Sequence, residues 1–454
     1  MSAEISTLLR KDALSIFQQG IDAADPYQAV KNCLSVSDNK IELALDLSDS
    51  SQKRTGQWSK VYIIAFGKAA CRMAQAAVEI IPAQLIATKP IAITNTENVQ
   101  NLKNIDVIGT SHPIPDATGV AAAKRVVEQL KNTKPDELVL TLISGGGSAL
   151  LPYPVSDISL EDKQKTTDLL LASGVAIEQI NCVRKHLSQL KGGQMAELAM
   201  PADLHSFILS DVIGDDLSSI ASGPTVADNT TFEEAVSILT SNSVWDKIPL
   251  SVKTYLQKGA QGQAKETAKA NADCFNNTSH TLVASNNISL NQTVNAANKL
   301  AYKSVVFSSA LCGEARDIAE QLVLAAKQIE NSQQEATALL AGGESTVTIK
   351  GSGLGGRNQE MALAFAIAAK KHKLKSHWAF LSGGTDGRDG PTDAAGGLVD
   401  SDTLNKIKQG KISADNLLEN NDSYSALKES QDLVMTGATG TNVADLQILL
   451  IRPE

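Results

Sequence analysis

Short runs of aliphatic and β-branched residues recur along the chain at Val61–Phe66, Ile91–Thr94, Leu138–Ile143, Phe207–Leu209, Thr281–Ala284, Val305–Ser308, Ala338–Ala341 and Trp378–Leu381. Runs of this length that are apolar throughout, rather than alternating, predict strands buried on both faces. Between many of them, apolar residues spaced three and four apart predict helices over Cys71–Ile81, Ala117–Leu130, Leu160–Ser173, Arg316–Ile329 and Gln359–His372. The opening stretch MSAEISTLLRKDALSIF has the same helical spacing and lacks the apolar core of a secretory signal. Alternation of strand and helix predicts mostly parallel sheets covered by helices.

The polar stretch 241–279, with its soft sequence KGAQGQAKETAKANAD, interrupts this rhythm and offers few apolar residues to anchor a core. It divides the chain into an expected Rossmann-like parallel-sheet domain over 1–240, a helical or linker junction over 241–279, and a second α/β domain over 280–454. The expected architecture is two α/β lobes with an active-site cleft between them.

A length of 454 residues suits two large lobes, and 43% hydrophobic with 20% charged residues is ordinary for globular proteins. The 41 basic and 50 acidic residues leave a net charge of −9, which disfavours a phosphate polymer such as nucleic acid. Small anions are still compatible with local basic groups and backbone amides. No apolar run approaches the roughly 20 residues that span a bilayer; the best are Val139–Ile143 and Ile448–Ile451. Five scattered cysteines without C-x-x-C pairs argue against a disulfide framework or zinc site. A cytoplasmic protein without membrane contact is the expectation.

Candidate chemistry gathers where strands stop. Leu138–Ser144 runs into Gly145, Gly146, Gly147 and Ser148; Ala338–Ala341 into Gly342, Gly343, Glu344 and Ser345; Trp378–Ser382 into Gly383, Gly384, Thr385 and Asp386. In open α/β sheets ligands bind at the carboxyl ends of strands, and glycines let backbone amides approach an anion closely. Lys68 follows Val61–Gly67 and opens a helix, where a cation is unfavourable unless an anion is shared with the helix dipole. Lys185, His186 and Lys191 lie in VRKHLSQLKGG, which also fits a solvated helical face. Asp211, Asp215 and Asp216 in LSDVIGDD, and Asp386, Asp389 and Asp393 in GTDGRDGPTD, suit Mg²⁺ binding or proton abstraction. Turn capping is their other reading, as a hydrogen-bonded loop residue is for His112.

Gly351, Gly353 and Gly356 satisfy G-x-G-x-x-G after the strand-like Thr346–Lys350. A dinucleotide site would also need an acid at the tip of the next strand, and none occurs before Asp386. Arg357 directly after the glycines suits a phosphate or carboxylate instead. No P-loop, protein-kinase signature or G-x-S-x-G elbow is present.

Taken in order, AFGKAACRMA, SHPIPDATG, LISGGGSALL, NCVRKHLSQLKGGQMAE, LSDVIGDDLSSIASGPT, GGESTVTIKGSGLGGRNQEMALAFA, SGGTDGRDGPTDAAGGLVD and TGATGTNVADLQILL resemble the class II glycerate 2-kinases. These carry a MOFRL-type C-terminal domain and were long also labelled hydroxypyruvate reductases. The resemblance runs from about Lys60 to Ile451, with one departure, Ala438 where the family usually has proline. It implies ATP- and Mg²⁺-dependent phosphorylation of D-glycerate to 2-phosphoglycerate, with Lys68, Asp211 and Arg357 as the catalytic set. Ser144, Gly145, Gly146, Gly147, Ser148, Lys191, Glu344, Asn358 and Asp386 are the expected substrate and nucleotide contacts, and Asp211, Asp215 and Asp386 the candidate metal ligands. Two rivals are an NAD(P)H-dependent hydroxypyruvate reductase, motivated by the glycine fingerprint, and a non-enzymatic two-lobe metabolite-binding protein.

Overall fold

The computed structural model describes residues 2–332 and 335–453. The chain forms two compact units. An inserted unit, Pro26–Val283, interrupts a split unit made of Met1–Asp25 and Ala284–Glu454.

The inserted unit is built on a six-stranded sheet ordered Asp106–Thr110, Ile91–Asn95, Val61–Phe66, Leu138–Ile143, Asp203–Leu209, Thr278–Ala284. Its first five strands pair in parallel. Every residue of Val61–Phe66 and Leu138–Ile143 is buried, as expected for central strands covered by helices on both faces. Because Val61–Phe66 lies between its two successors on one side and Leu138–Ile143 on the other, strand order reverses between those two central strands. Such a switch point opens a crevice at the carboxyl ends of the strands.

Two features of this unit differ from the sequence expectation. The antiparallel sheet Leu34–Ser37, Lys40–Ala44, Lys53–Gly56 was not visible in the hydrophobic pattern. Its first hairpin turns on Asp38 and Asn39, both at positive φ (50° and 59°), the conformation favoured in two-residue hairpins. The stretch 241–279 does not form a separate junction: Val244, Ile248, Val252 and Leu256 pack with Val155, Leu170, Val183 and Phe232 in one core. Four apolar residues on one side of a short segment suffice to fix it, despite its polar composition.

The split unit has a mixed six-stranded sheet ordered Lys303–Leu311, Thr337–Gly343, Asp445–Arg452, His377–Gly384, Gly396–Asp400, Leu433–Val434. Only the first pair is parallel; the others are antiparallel, so the expectation of mostly parallel sheets fails here. The last long strand, Asp445–Arg452, returns between two earlier ones. Helix Ser2–Asp22 belongs to this unit and not to the segment that follows it in sequence. Leu9, Ala13, Ile16 and Phe17, spaced at helical period, pack with Leu381, Leu398, Leu446 and Ile448. Arg10 on its polar side bonds both Asp400 and Asp432.

Thr346–Lys350 is not a strand; Thr346 makes only an isolated bridge to Glu314. The following glycines are explained by close packing, since a side chain at Gly351 or Gly353 would overlap Asn420 or Asp422, and one at Gly356 would overlap Asp389. Without its leading strand, G-x-G-x-x-G here is not a dinucleotide fingerprint, and the observation that favoured a nicotinamide-dependent reductase is withdrawn. All five cysteines are free thiols, four of them buried. Among the described residues no helix is long and apolar enough to cross a membrane.

Candidate active site

In the inserted unit, the carboxyl ends of the two central strands are strapped together by their own backbone. Lys68 N–H donates to the Gly145 carbonyl (2.9 Å), Ser144 N–H to the Phe66 carbonyl (3.0 Å), and Ala69 N–H to Ser144 Oγ (3.0 Å). Ser144 is therefore buried and fully occupied in holding the two turns together. The Lys68 carbonyl accepts further bonds from Thr94 and Asn98. Gly67 (φ 120°) has to be glycine, because any side chain would run into Ser144.

This strapping leaves Gly145 and Gly146 between three titratable side chains. A methyl group on Gly145 would overlap the Asp211 carboxylate, which follows the strand Asp203–Leu209. One on Gly146 would lie 3.1 Å from the His112 ring and 3.4 Å from Lys68 Cγ. Burial raises the pKa of the Asp211 carboxyl, and the Lys68 charge partly counters it. The same combination of burial and Lys68 lowers that of His112. Among the described residues, the N–H groups of Gly145 and Gly146 donate to no protein acceptor, leaving them open to a ligand oxygen. Ser148 exchanges a hydrogen bond with Ser222 (2.7 Å), and Ser222 donates to Asn181 (3.1 Å).

The basic segment after these turns is interior, contrary to the solvated-face reading. Lys185 is buried and pairs with buried Asp228 (3.3 Å). His186 is buried and bonds Glu266 (2.7 Å). Burial works against a charged His186, but the Cys182 carbonyl and Glu266 raise its pKa to about 9. Lys191 is also buried, with its ammonium 3.3 Å from the Ala221 carbonyl. Asp216 is occupied by Ser218 and Ser219, in keeping with turn capping.

In the split unit, Asp445 opens the returning strand and is paired across to Gly343 on one side and Gly384 on the other. Both glycine-ended strands therefore stop beside one fully buried carboxylate. Arg357, the first residue of helix Arg357–Lys371, bonds it through Nε (2.6 Å) and Nη2 (2.9 Å), and bonds Glu344 through Nη1 (3.0 Å). Burial opposes the charge on Arg357, but these partners hold it firmly protonated. Asp389 caps the same helix, accepting from the N–H groups of Asn358 (3.1 Å) and Gln359 (2.8 Å). Burial, then Asp445, pushes the Asp389 carboxyl up to about 6 against those bonds. Asn358 is buried, accepting from Ser382 Oγ (2.6 Å). Asp386 caps Arg388 N–H (3.0 Å), and a methyl on Gly384 would lie 3.1 Å from its carboxylate.

Of the sequence-selected groups, Lys68, Asp211 and Gly145–Ser148 share one place in the inserted unit, and Arg357, Glu344, Asn358 and Asp386 cluster in the split unit. Sequence reasoning missed Asp445 and the part played by His112. An acid immediately before the apolar run of a strand was the available signal for Asp445. Among the described residues, no three His, Cys, Asp or Glu side chains gather in a way that would hold a metal by themselves.

Residues 12–257 match the family described as a domain of unknown function, DUF4147, and residues 337–445 match the MOFRL family. A glycerate 2-kinase of Pyrococcus horikoshii is 40% identical over 450 residues, covering 98% of each chain. A D-glycerate 2-kinase of Thermotoga maritima is 37% identical, again over 98% of each. The crystal structure of glycerate kinase from Thermotoga maritima superposes with a TM-score of 0.86 at 36% identity, covering 98% of this chain and all of that one (100%).

Proposed function

The chain belongs to the glycerate 2-kinase family, and we infer that it is an ATP-dependent glycerate 2-kinase, converting D-glycerate and ATP to 2-phosphoglycerate and ADP. The observation that carries the mechanistic reading is the meeting of Lys68 and Asp211 at two adjacent glycines with open amides, at the switch point of a parallel sheet.

Phosphoryl transfer needs positioning and charge neutralisation more than covalent help from the protein. The 2-hydroxyl oxygen attacks the γ-phosphorus, the bond from that phosphorus to the bridging oxygen breaks, and ADP leaves with the electron pair. Asp211 accepts the hydroxyl proton, and its burial-raised pKa suits a group that takes up and releases a proton. Lys68 and the Gly145 and Gly146 amides neutralise charge on the phosphoryl oxygens. Within the split unit, Arg357 offers a pre-set guanidinium suited to a carboxylate or phosphate oxygen. Asp445 and Glu344 fix its guanidinium plane before substrate arrives. Asn358 and Asp389 position the helix that carries it, while Asp386 borders that cluster.

The family implies a divalent metal. The residues present do not form a protein-only cage, but they fit Mg²⁺, which is commonly held by one or two carboxylates together with substrate phosphates. The LSDVIGDD loop would provide that carboxylate through Asp215, since Asp211 takes the proton. When bound, the ion supplies charge neutralisation on the nucleotide phosphates.

Coupling the reaction of D-glycerate, ATP and Mg²⁺ directly to enolase tests this assignment. A signal without added phosphoglycerate mutase is expected. A signal that requires the mutase, meaning the 3-phosphate, or no signal at all, contradicts it.

A further inference from the structure

Two buried lysines and a half-buried arginine gather in the inserted unit without a counter-charge. Lys163, on helix Leu160–Ala172, is 5% exposed, and its ammonium has no hydrogen-bond partner. Lys191 is 2% exposed and meets only a backbone carbonyl, that of Ala221. Arg184 lies on helix Ile177–His186, three residues after the Asn181 that bonds Ser222. Lys163 and Lys191 each feel the Arg184 charge, and Lys191 also feels Lys163. Among the described residues none of the three has a salt bridge, and Asp228, which lies under Gly192, is already taken up by Lys185 and Thr230.

Burying like charges together opposes folding unless something compensates them. Burial and its neighbours hold Lys163 down to about 7 in the absence of a ligand. The hydroxyl chain Asn181–Ser222–Ser148 leads from this cluster to the Gly145–Ser148 turn. A carboxylate carries a single negative charge and would leave two of the three cations unbalanced. A polyphosphate carries several charges, together with enough oxygens to bond all three donors.

We propose that Lys163, Arg184 and Lys191 form the subsite for the phosphates of ATP that are not transferred, leaving the γ-phosphoryl group at Gly145 and Gly146. The proposal rests on the kinase reading for the identity of the polyphosphate, but the subsite itself is testable without turnover. The probe is inorganic tripolyphosphate, titrated calorimetrically into the full chain and into Lys163→Met, which keeps the aliphatic stem and removes the charge. We expect tripolyphosphate to bind the wild type and to bind Lys163→Met about ten-fold more weakly or worse. The unliganded variant should melt at a higher temperature than the wild type, which a merely structural lysine would not produce. In the kinase assay, KM for ATP should rise while KM for D-glycerate stays put.

Equal tripolyphosphate affinity in the two proteins overturns the proposal. So does a variant that changes KM for D-glycerate alone, which would make the cluster a carboxylate site. If Lys163→Met does not fold, Arg184→Gln is titrated in the same way and judged by the same outcomes. Lysine-dependent tripolyphosphate binding in a protein without glycerate kinase activity would sustain the subsite and defeat the functional reading. Normal kinase activity with unaltered binding by the variants would do the reverse.

Discussion

Two charge clusters, one in each unit, are built in opposite ways. In the split unit Arg357 is matched by Asp445 and Glu344, and its helix is capped by Asp389, so its orientation is set in advance. In the inserted unit Lys163 and Lys191 are buried without an acidic partner, and Asp211 is pushed toward its neutral form by burial. A matched cation stabilises its surroundings; an unmatched one destabilises them until a ligand arrives. Substitutions that remove charge should therefore act with opposite sign on stability in these two clusters.

The largest effect expected is on turnover. Lys68→Ala should lower kcat by about a hundred-fold or more, with the melting temperature little changed. Near-normal turnover would remove Lys68 from the catalytic set. Next, Asp445→Asn leaves Arg357 poorly compensated and should reduce unfolding free energy by roughly 2–3 kcal/mol, below the full range for a buried pair because Arg357 is 32% exposed. Denaturant titration of that variant beside Lys163→Met, expected to gain about 1 kcal/mol, would break the comparison if both moved in the same direction. Gly145→Ala should displace Asp211 and lower kcat by about ten-fold or more.

The smallest effect is a pH slope. His186, with its pKa raised to about 9, contributes stability that is complete below its ordinary value near 6.5 and is lost as pH rises through 9. Lys163, lowered to about 7, has the opposite slope, since its destabilisation is relieved as pH climbs above 7. Unfolding curves between pH 6 and about 10 should therefore show a steeper rise in stability with pH for His186→Gln than for the wild type. Parallel pH profiles would contradict the His186–Glu266 ion pair.

The central strands of the inserted unit's sheet, and Thr337–Gly343 and His377–Gly384 in the other, were legible in sequence because continuous apolar runs admit few other fates, whereas the central strand Asp445–Arg452 was not among those expected. Lys68, Asp211 and Gly145–Ser148 were legible for a related reason: each directly follows such a run, and strand ends in a parallel sheet converge. What escaped was non-local. Nothing within Ser2–Asp22 states that its apolar face will cover Leu446 and Ile448, far along the chain. Asp445 stands out only once its strand lies between two glycine-ended neighbours. Lys163 and Arg184 read as ordinary solvated positions on polar helices, and only the fold buries one and brings the other beside it. The G-x-G-x-x-G glycines misled for the converse reason, since close packing against Asn420, Asp422 and Asp389 selects glycine as effectively as a ligand does.

The most direct measurement is phosphorus NMR of ATP turnover on D-glycerate by the wild type and Asp211→Asn side by side. The expected result is 2-phosphoglycerate as the only new phosphomonoester, formed roughly a hundred to ten thousand times more slowly by the variant. A 3-phosphate product, or an Asp211→Asn enzyme running at the wild-type rate, would contradict the account.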